Sequence, residues 1–465
     1  MSEQTFYWHD YETFGRVPRR DRPSQFAGVR TDADLNEVGE PLMLYCQPAL
    51  DYLPEPEACL LTGILPQACA EQGVPEHAFA DAIERELARP GTVGLGYNTI
   101  RFDDEVTRHL FWRNLIDPYA REWQNQCGRW DLLDVVRATW ALRPEGVQWP
   151  TGADGKPSFK LELLTKANGL VHEAAHDALS DVRATIAMAR LIKQAQPKLW
   201  DFCLKLRKKD AVLAEAGLDQ PRSAWKPFLH ISGMYGVDRG CMAVVFPIAP
   251  HPSNKNEVLV WDLSVDPAPL FELNAAEIRQ RIFSRTEDLP EGVTRLPLKS
   301  VHINKSPIVV GNLKVVGPAL ASKWGLDLAR VQQHLDWLAP RVTQMDGIWA
   351  EVYGRDDRER GPVDVDEDLY GGFVGNEDRR LLTRLKALSP ADLASKRPGF
   401  VDERLEELLF RYRARNFPDT LTDEERERWD ALRHARLIDG VGGAQTLSAF
   451  FERIDVLNED PQYDN

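Results

Sequence analysis

Residues 5–13 constrain this chain most. Thr5-Phe-Tyr-Trp-His9 is an aromatic run of strand formers that ends on Asp10-Tyr-Glu12, and Phe14-Gly15 punctuates its close. Side chains two apart on a strand share a face, so Asp10 and Glu12 point together while Tyr11 points away. Two carboxylates ending an apolar strand are expensive to bury unless a cation joins them. The same spacing recurs at Asp357-Arg-Glu359 and Asp423-Glu-Glu425, but there within hydrophilic, charge-dense stretches that read as solvated faces. The pair at 10 and 12 therefore predicts a metal site on a strand of an α/β core.

Two further acidic motifs follow in order. Gly91-Thr-Val-Gly-Leu-Gly-Tyr97 is a short apolar strand leading into Asn98-Thr-Ile-Arg-Phe-Asp103, and Glu105–Trp112 continues at helical spacing. Asp103 thus falls in the turn or first helical turn, where a carboxylate either caps a helix or completes a site. His176-Asp-Ala-Leu-Ser-Asp181 opens an amphipathic helix over 181–192. The helix dipole near His176 disfavours imidazolium and keeps the ring available as a general base. Four carboxylates and one histidine are the parts needed to hold two divalent cations and activate a water against a phosphodiester.

In this order Asp-x-Glu, Asn-x-x-x-Phe-Asp and His-x-x-x-x-Asp resemble the three exonuclease motifs of the DEDD superfamily in its histidine variant, DEDDh. The form Asp10-Tyr-Glu-Thr-Phe-Gly15 is similar to the bacterial exodeoxyribonuclease I branch of that superfamily. Arg129–Asp134, Ala141–Gly146, Leu164–Gly169, Val301–Lys305 and Arg411–Pro418 extend the likeness along essentially the whole chain. The resemblance implies an α/β fold: a ribonuclease H-like DEDDh exonuclease core, then an SH3-like β-rich domain and a C-terminal helical domain. It also implies Mg²⁺-dependent two-metal hydrolysis of single-stranded DNA from the 3′ end, releasing 5′-mononucleotides in DNA repair and recombination. Asp10, Glu12 and Asp181 would ligate one Mg²⁺, and Asp10 with Asp103 would position the second. Mn²⁺ is the expected substitute, and His176 the acceptor of the water's proton.

At 465 residues the chain exceeds one ordinary core, and 43% hydrophobic residues suffice for several. No run of about 18 apolar residues occurs, so no membrane span is expected. Met-Ser-Glu-Gln lacks the basic region and apolar core of a secretory signal. Six scattered cysteines without a Cys-x-x-Cys pair argue for a reducing cytoplasm and against structural zinc or disulfides. A net charge of −15 speaks against nucleic-acid binding until the chain is divided. Residues 1–196 carry −9, 197–350 carry +3 and 351–465 carry −9, so a basic groove can sit in the middle block.

Patterning gives alternating strands and helices over 1–195, which the resemblance implies is the DEDDh exonuclease domain, and a β-rich domain over 197–350. The second opens with helical Lys198–Ala216, then strands at Gly240–Ile248, Asn256–Leu263 and Ser300–Val310. The charge-dense stretch around 352–366 reads as a linker, and 361–465 as a helical domain.

Single strands are held by basic grooves and stacking aromatics. Glu12 and Lys160 are expected near the scissile bond; lysine stands at 160 where the family resemblance implies arginine, which keeps the charge and loses the bidentate fork. Arg108, Tyr119, Trp123 and Arg137 are further channel candidates, with Lys299, His302 and Lys305 from the second block and Tyr370 and Phe373 from the linker. The resemblance implies one protein partner, the acidic, apolar-ended tail of the single-stranded DNA-binding protein, with Arg143 as its basic contact. A monomer is expected. Single-domain DEDDh relatives that trim RNA or proofread are disfavoured by about 270 extra residues. An inactive binding module would not need all five motif positions, and a scaffold would show no metal-dependent turnover.

Overall fold

A computed structural model of the chain describes residues 4–172, 177–354, 363–396 and 398–460. Its contacts form two compact units that depart from the sequential blocks read above: one comprises 1–128, 172–186 and 360–465, the other 129–171 and 187–359.

The first unit holds a mixed sheet in the order β3-β2-β1-β4-β5, built from Thr5–Thr13 (β1), Pro23–Thr31 (β2), Leu42–Tyr45 (β3), Thr92–Leu95 (β4) and Gly128–Arg129 (β5). β1 is central, antiparallel to β2 and parallel to β4. A strand buried on both faces needs apolar residues at nearly every position, which explains the unbroken aromatic run. Tyr7 and Tyr11 enter a core with Phe79 and Ile83 of helix Glu76–Leu87 (α1) and Val106 and Leu110 of helix Asp103–Arg113 (α2). Helix Ala178–Ala195 (α3) contributes its first half to this unit. The C-terminal segment is helical, as expected, with Arg404–Asn416 (α4) and Asp423–Leu437 (α5) among its elements. Leu405, Leu408 and Tyr412 share a core with Trp112 and Leu115.

The pair at 423 and 425 diverges from the site pair. Glu425 forms a capping box with Thr422 at the start of α5, and the Asp423 side chain is 96% exposed. Asp357 and Glu359 lie outside the described residues, as does Arg355–Pro362. The linker reading fails at its described end: Asp364 is half-buried and Asp366 only 3% exposed, both inside an arginine cluster.

The second unit carries an antiparallel sheet in the order β10-β6-β7-β8-β9, from Phe228–Ile231 (β6), Met242–Pro250 (β7), Glu257–Asp262 (β8), Leu298–His302 (β9) and Ile308–Val310 (β10). The single strand expected over 300–310 is two, lying at opposite edges of the sheet. Asn304 and Lys305 turn the chain, Ser306 takes φ 49°, and Pro307 has no N–H for a ladder. β6 had no sequence signal beyond four residues, too few for a period to register. The helical stretch predicted at 198–216 breaks into Pro197–Lys205 and Lys209–Ala216.

Candidate active site

Asp10 and Glu12 sit at the C-terminal end of β1, and Asp181 lies in the first turn of α3. Each offers a carboxylate oxygen within 4.8 Å of the other two. Asp103 reaches the same place by a backbone contact: its Oδ1 accepts from the Tyr11 N–H at 3.1 Å, between the two strand carboxylates. Phe102, not Asp103, occupies the cap position of α2. Tyr11, facing away from the carboxylates, accepts a hydrogen bond from the Thr107 hydroxyl at 3.0 Å and so ties α2 to β1. The neighbouring Asp104 is a structural residue: it bonds Arg121 at 2.5 Å, and both side chains are 1% exposed.

The electrostatics follow from crowding. Burial first, then Asp103, Glu12, Asp181 and Asp177, push the Asp10 carboxyl well above the usual carboxylate range. Burial followed by Asp181, Asp103 and Asp177 pushes Glu12 up to about 8. Such a set is stable in its ionised form only when a cation offsets the repulsion. All-oxygen donors suit a hard divalent ion, so Asp10, Glu12 and Asp181 fit a magnesium-type ligand set with Asp103 beside it.

Two residues near this set carried little or no sequence signal. Asp177 contributes a fifth carboxylate charge, and its place directly after His176 was the only hint. His172 Nε2 lies 2.5 Å from Asp181 Oδ1. His176 itself lies outside the described residues.

The remaining candidates distribute between the units. In the first, Arg108, a channel candidate, is enclosed by acids. It is 5% exposed, with Nε and Nη2 on the Glu122 carboxylate at 2.7 and 2.9 Å and Nη1 on Glu105 at 2.7 Å. Two carboxylates thus answer its charge inside the protein, and one of them, Glu105, is a helical i−3 neighbour. Its guanidinium also lies over the Tyr119 ring and donates to the Tyr370 hydroxyl at 3.0 Å. Trp123 is 62% and Phe373 93% exposed.

In the second unit Lys299 donates to the Ser232 hydroxyl at 2.6 Å, and Arg137 packs against Gly233 while pairing with Asp134 at 2.7 Å. The two cations therefore flank one turn. His302 faces Glu257 at 3.4 Å; burial lowers its pKa, with Glu257 opposing. Lys305 follows in the turn. Lys160 is exposed, 3.8 Å from Glu162. Arg143 lines a cleft of about 500 Å³ with Lys198, Phe202 and Val315.

A cavity of about 630 Å³ in the first unit is lined by none of the site carboxylates. Most of its arginines are matched by acids, such as Arg19 with Glu367, Arg20 with Glu55 and Arg453 with Glu57, so it offers little unbalanced charge.

Three family models match the chain: an exonuclease over residues 7–189, an exonuclease I SH3-like domain over 207–355 and an exonuclease I C-terminal domain over 363–465. Exodeoxyribonuclease I of Escherichia coli is 45% identical over 436 residues, 94% of this chain and 90% of that one. Among solved structures, a moderately thermophilic exonuclease I from Methylocaldum szegediense is 50% identical, with TM-score 0.91 over 98% of this chain and 95% of that one. The E. coli exonuclease I in complex with a dA16 oligonucleotide is 44% identical, with TM-score 0.90 over 98% and 94%. The three-part architecture expected from the sequence is the one these relatives share.

Proposed function

This chain belongs to the exonuclease I family, and from that membership we propose that it degrades single-stranded DNA from the 3′ end, releasing 5′-mononucleotides in DNA repair and recombination. The observation that carries the reading is the convergence of Asp10, Glu12 and Asp181, with Asp103 held against the same strand end. Asp10, Glu12 and Asp181 would hold one Mg²⁺ and Asp10 with Asp103 would position a second, with Mn²⁺ as the expected substitute. Bound there, such ions lower the pKa of water and neutralise charge on the phosphate. His176 takes the proton from the attacking water. The rigid strand end and the first turns of two helices fix the carboxylates before substrate arrives, so little reorganisation remains for the chemical step.

A 5′-labelled single-stranded oligonucleotide, incubated with Mg²⁺ or with EDTA beside matched duplex and RNA, tests this directly. Metal-dependent shortening from the 3′ end of the single strand alone is expected. Preference for RNA, or no turnover, would overturn it.

Substrate contacts follow from exposure. A phenylalanine 93% in water gains from a stacked base, and Tyr370 stands three residues away with its hydroxyl tied to Arg108 and Glu105. Base stacking contributes about 1–3 kcal/mol per base. Replacing both Tyr370 and Phe373 by Ala is therefore expected to weaken single-strand affinity by roughly tenfold or more at constant salt. Unchanged affinity in an anisotropy titration would remove them from the site. Trp123 of the first unit, and Lys160, Arg137, Lys299, His302 and Lys305 of the second, are each proposed to contact the single strand; Arg108 acts through Tyr119 and Tyr370.

The cleft beside Arg143 pairs cations with the apolar Leu142, Phe202 and Val315, a combination that suits an acidic peptide with an apolar end. The tail of the single-stranded DNA-binding protein is the proposed occupant. Arg143→Glu is expected to weaken binding of that tail peptide at least tenfold, as read by calorimetry, and normal binding would exclude the cleft.

A further inference from the structure

We propose that Gln25 is a positioning residue that sets the distance between Asp181 and the strand carboxylates; the idea rests on the metal-site reading above. In the β1–β2 ladder Gln25 lies directly opposite Glu12, and directly opposed residues of an antiparallel pair project to the same face. Its side chain is buried, at 1% exposure, and both ends of its amide are used. Oε1 accepts from the backbone N–H of Ala178 at 3.1 Å, and Nε2 donates to Asp177 Oδ1 at 3.4 Å. The other Asp177 oxygen, Oδ2, accepts from the Ser180 N–H at 3.1 Å, and the Asp177 carbonyl accepts from the Asp181 N–H at 3.0 Å. The chain of bonds thus runs from β2, through one amide, to the helical turn that carries Asp181.

The chemistry of the side chain matters here. The Ala178 N–H is an unsatisfied helix-start donor on a fully buried residue, so it needs a protein acceptor. Asp177 accepts only, so it needs a donor. An amide presents one of each side by side; a carboxylate lacks the donor and an ammonium lacks the acceptor. β2 is a firm support for this clamp, since it is buried along its length and paired to both β1 and β3. Loss of the clamp leaves the start of α3 free to shift, and a displacement near 1 Å in a preorganised site lowers rate about a hundredfold.

The test uses the full chain and Mn²⁺ as probe. Gln25→Met keeps length and removes both bonds; Gln25→Asn keeps the amide and shortens its reach. Both are expected to fold, to raise the Mn²⁺ concentration for half-saturation in paramagnetic resonance about tenfold, and to lower kcat by 10- to 100-fold. KM for single-stranded DNA should stay within twofold, and excess Mn²⁺ should restore most of kcat, which a general packing defect would not allow. Folded variants with wild-type Mn²⁺ half-saturation would overturn the assignment whatever their activity. Wild-type protein whose Mn²⁺ binding depends on Gln25 but which cleaves no DNA would overturn the nuclease reading and leave the positioning role standing.

Discussion

Asp181→Asn is expected to lower turnover of single-stranded DNA by at least about a thousandfold, or roughly 4 kcal/mol of barrier, while single-strand affinity in EDTA stays near wild type. The substitution keeps shape and leaves an oxygen that can still face His172, so the fold should persist. It removes the largest like charge acting on Glu12. This gives a second readout of opposite sign. Glu12, with a folded pKa near 8 against an ordinary 4.5, keeps a proton in the folded protein that the unfolded chain has released. Metal-free stability therefore falls as pH rises from about 4.5 to 8, and the loss is complete above that. Buried His9 and His230, whose pKa values are lowered by burial, push the other way only up to about 6.5. Between pH 6.5 and 8.5 in EDTA, the wild type should lose melting temperature while Asp181→Asn loses less and melts higher. Saturating Mg²⁺ should reverse their order. A variant that melts lower than wild type at pH 8 in EDTA would show that the carboxylates do not strain one another.

The second large effect concerns stability alone. Asp366, 3% exposed, accepts from Arg415, Arg411, Arg436 and Arg22, at 3.1 Å, 3.2 Å, 3.0 Å and 3.4 Å for one contact each. Burial alone would raise its pKa, yet Arg415, Arg22 and Arg436 hold it well below the usual range. Asp51 shares Arg415, at 3.1 and 2.8 Å, and is lowered in the same way. Removing one carboxylate from such a cluster leaves buried guanidinium charge uncompensated, which costs about 3–5 kcal/mol. Asp366→Ala should therefore shift the urea midpoint sharply downward while the surviving folded protein keeps its DNA-binding affinity. The pH dependence has the sign opposite to that of Glu12. Depressed carboxylates stabilise above their unfolded pKa near 3.8 and lose that contribution as pH falls below it, so the variant should show a weaker acid transition. An unfolding free energy within about 1 kcal/mol of wild type would mean that the arginines find other partners.

The same cluster accounts for the basic run on α4, which carries Arg411, Arg413 and Arg415. In the fold Arg411 meets Asp364 and Asp366, Arg413 meets Glu425, and Arg415 meets Asp51 and Asp366. Arg108 behaves likewise, enclosed by Glu105 and Glu122. Buried arginine is an internal fastener here.

What the sequence determined by itself is local. The aromatic run of β1 fixed a strand, period two put Asp10 and Glu12 on one face, and helical spacing placed Asp103 and Asp181 in first turns. These follow from dihedral preference and side-chain period within a dozen residues, so one sequence suffices to read them. Only the tertiary structure decided what depends on pairing between distant segments. The register that sets Gln25 against Glu12, the edge positions of β9 and β10, and the pairing of Asp366 with Arg22 across more than 300 residues leave no periodic trace in the chain. A charge reports its sign from sequence, but its partner, its burial and hence its role are set by which surfaces the core brings together.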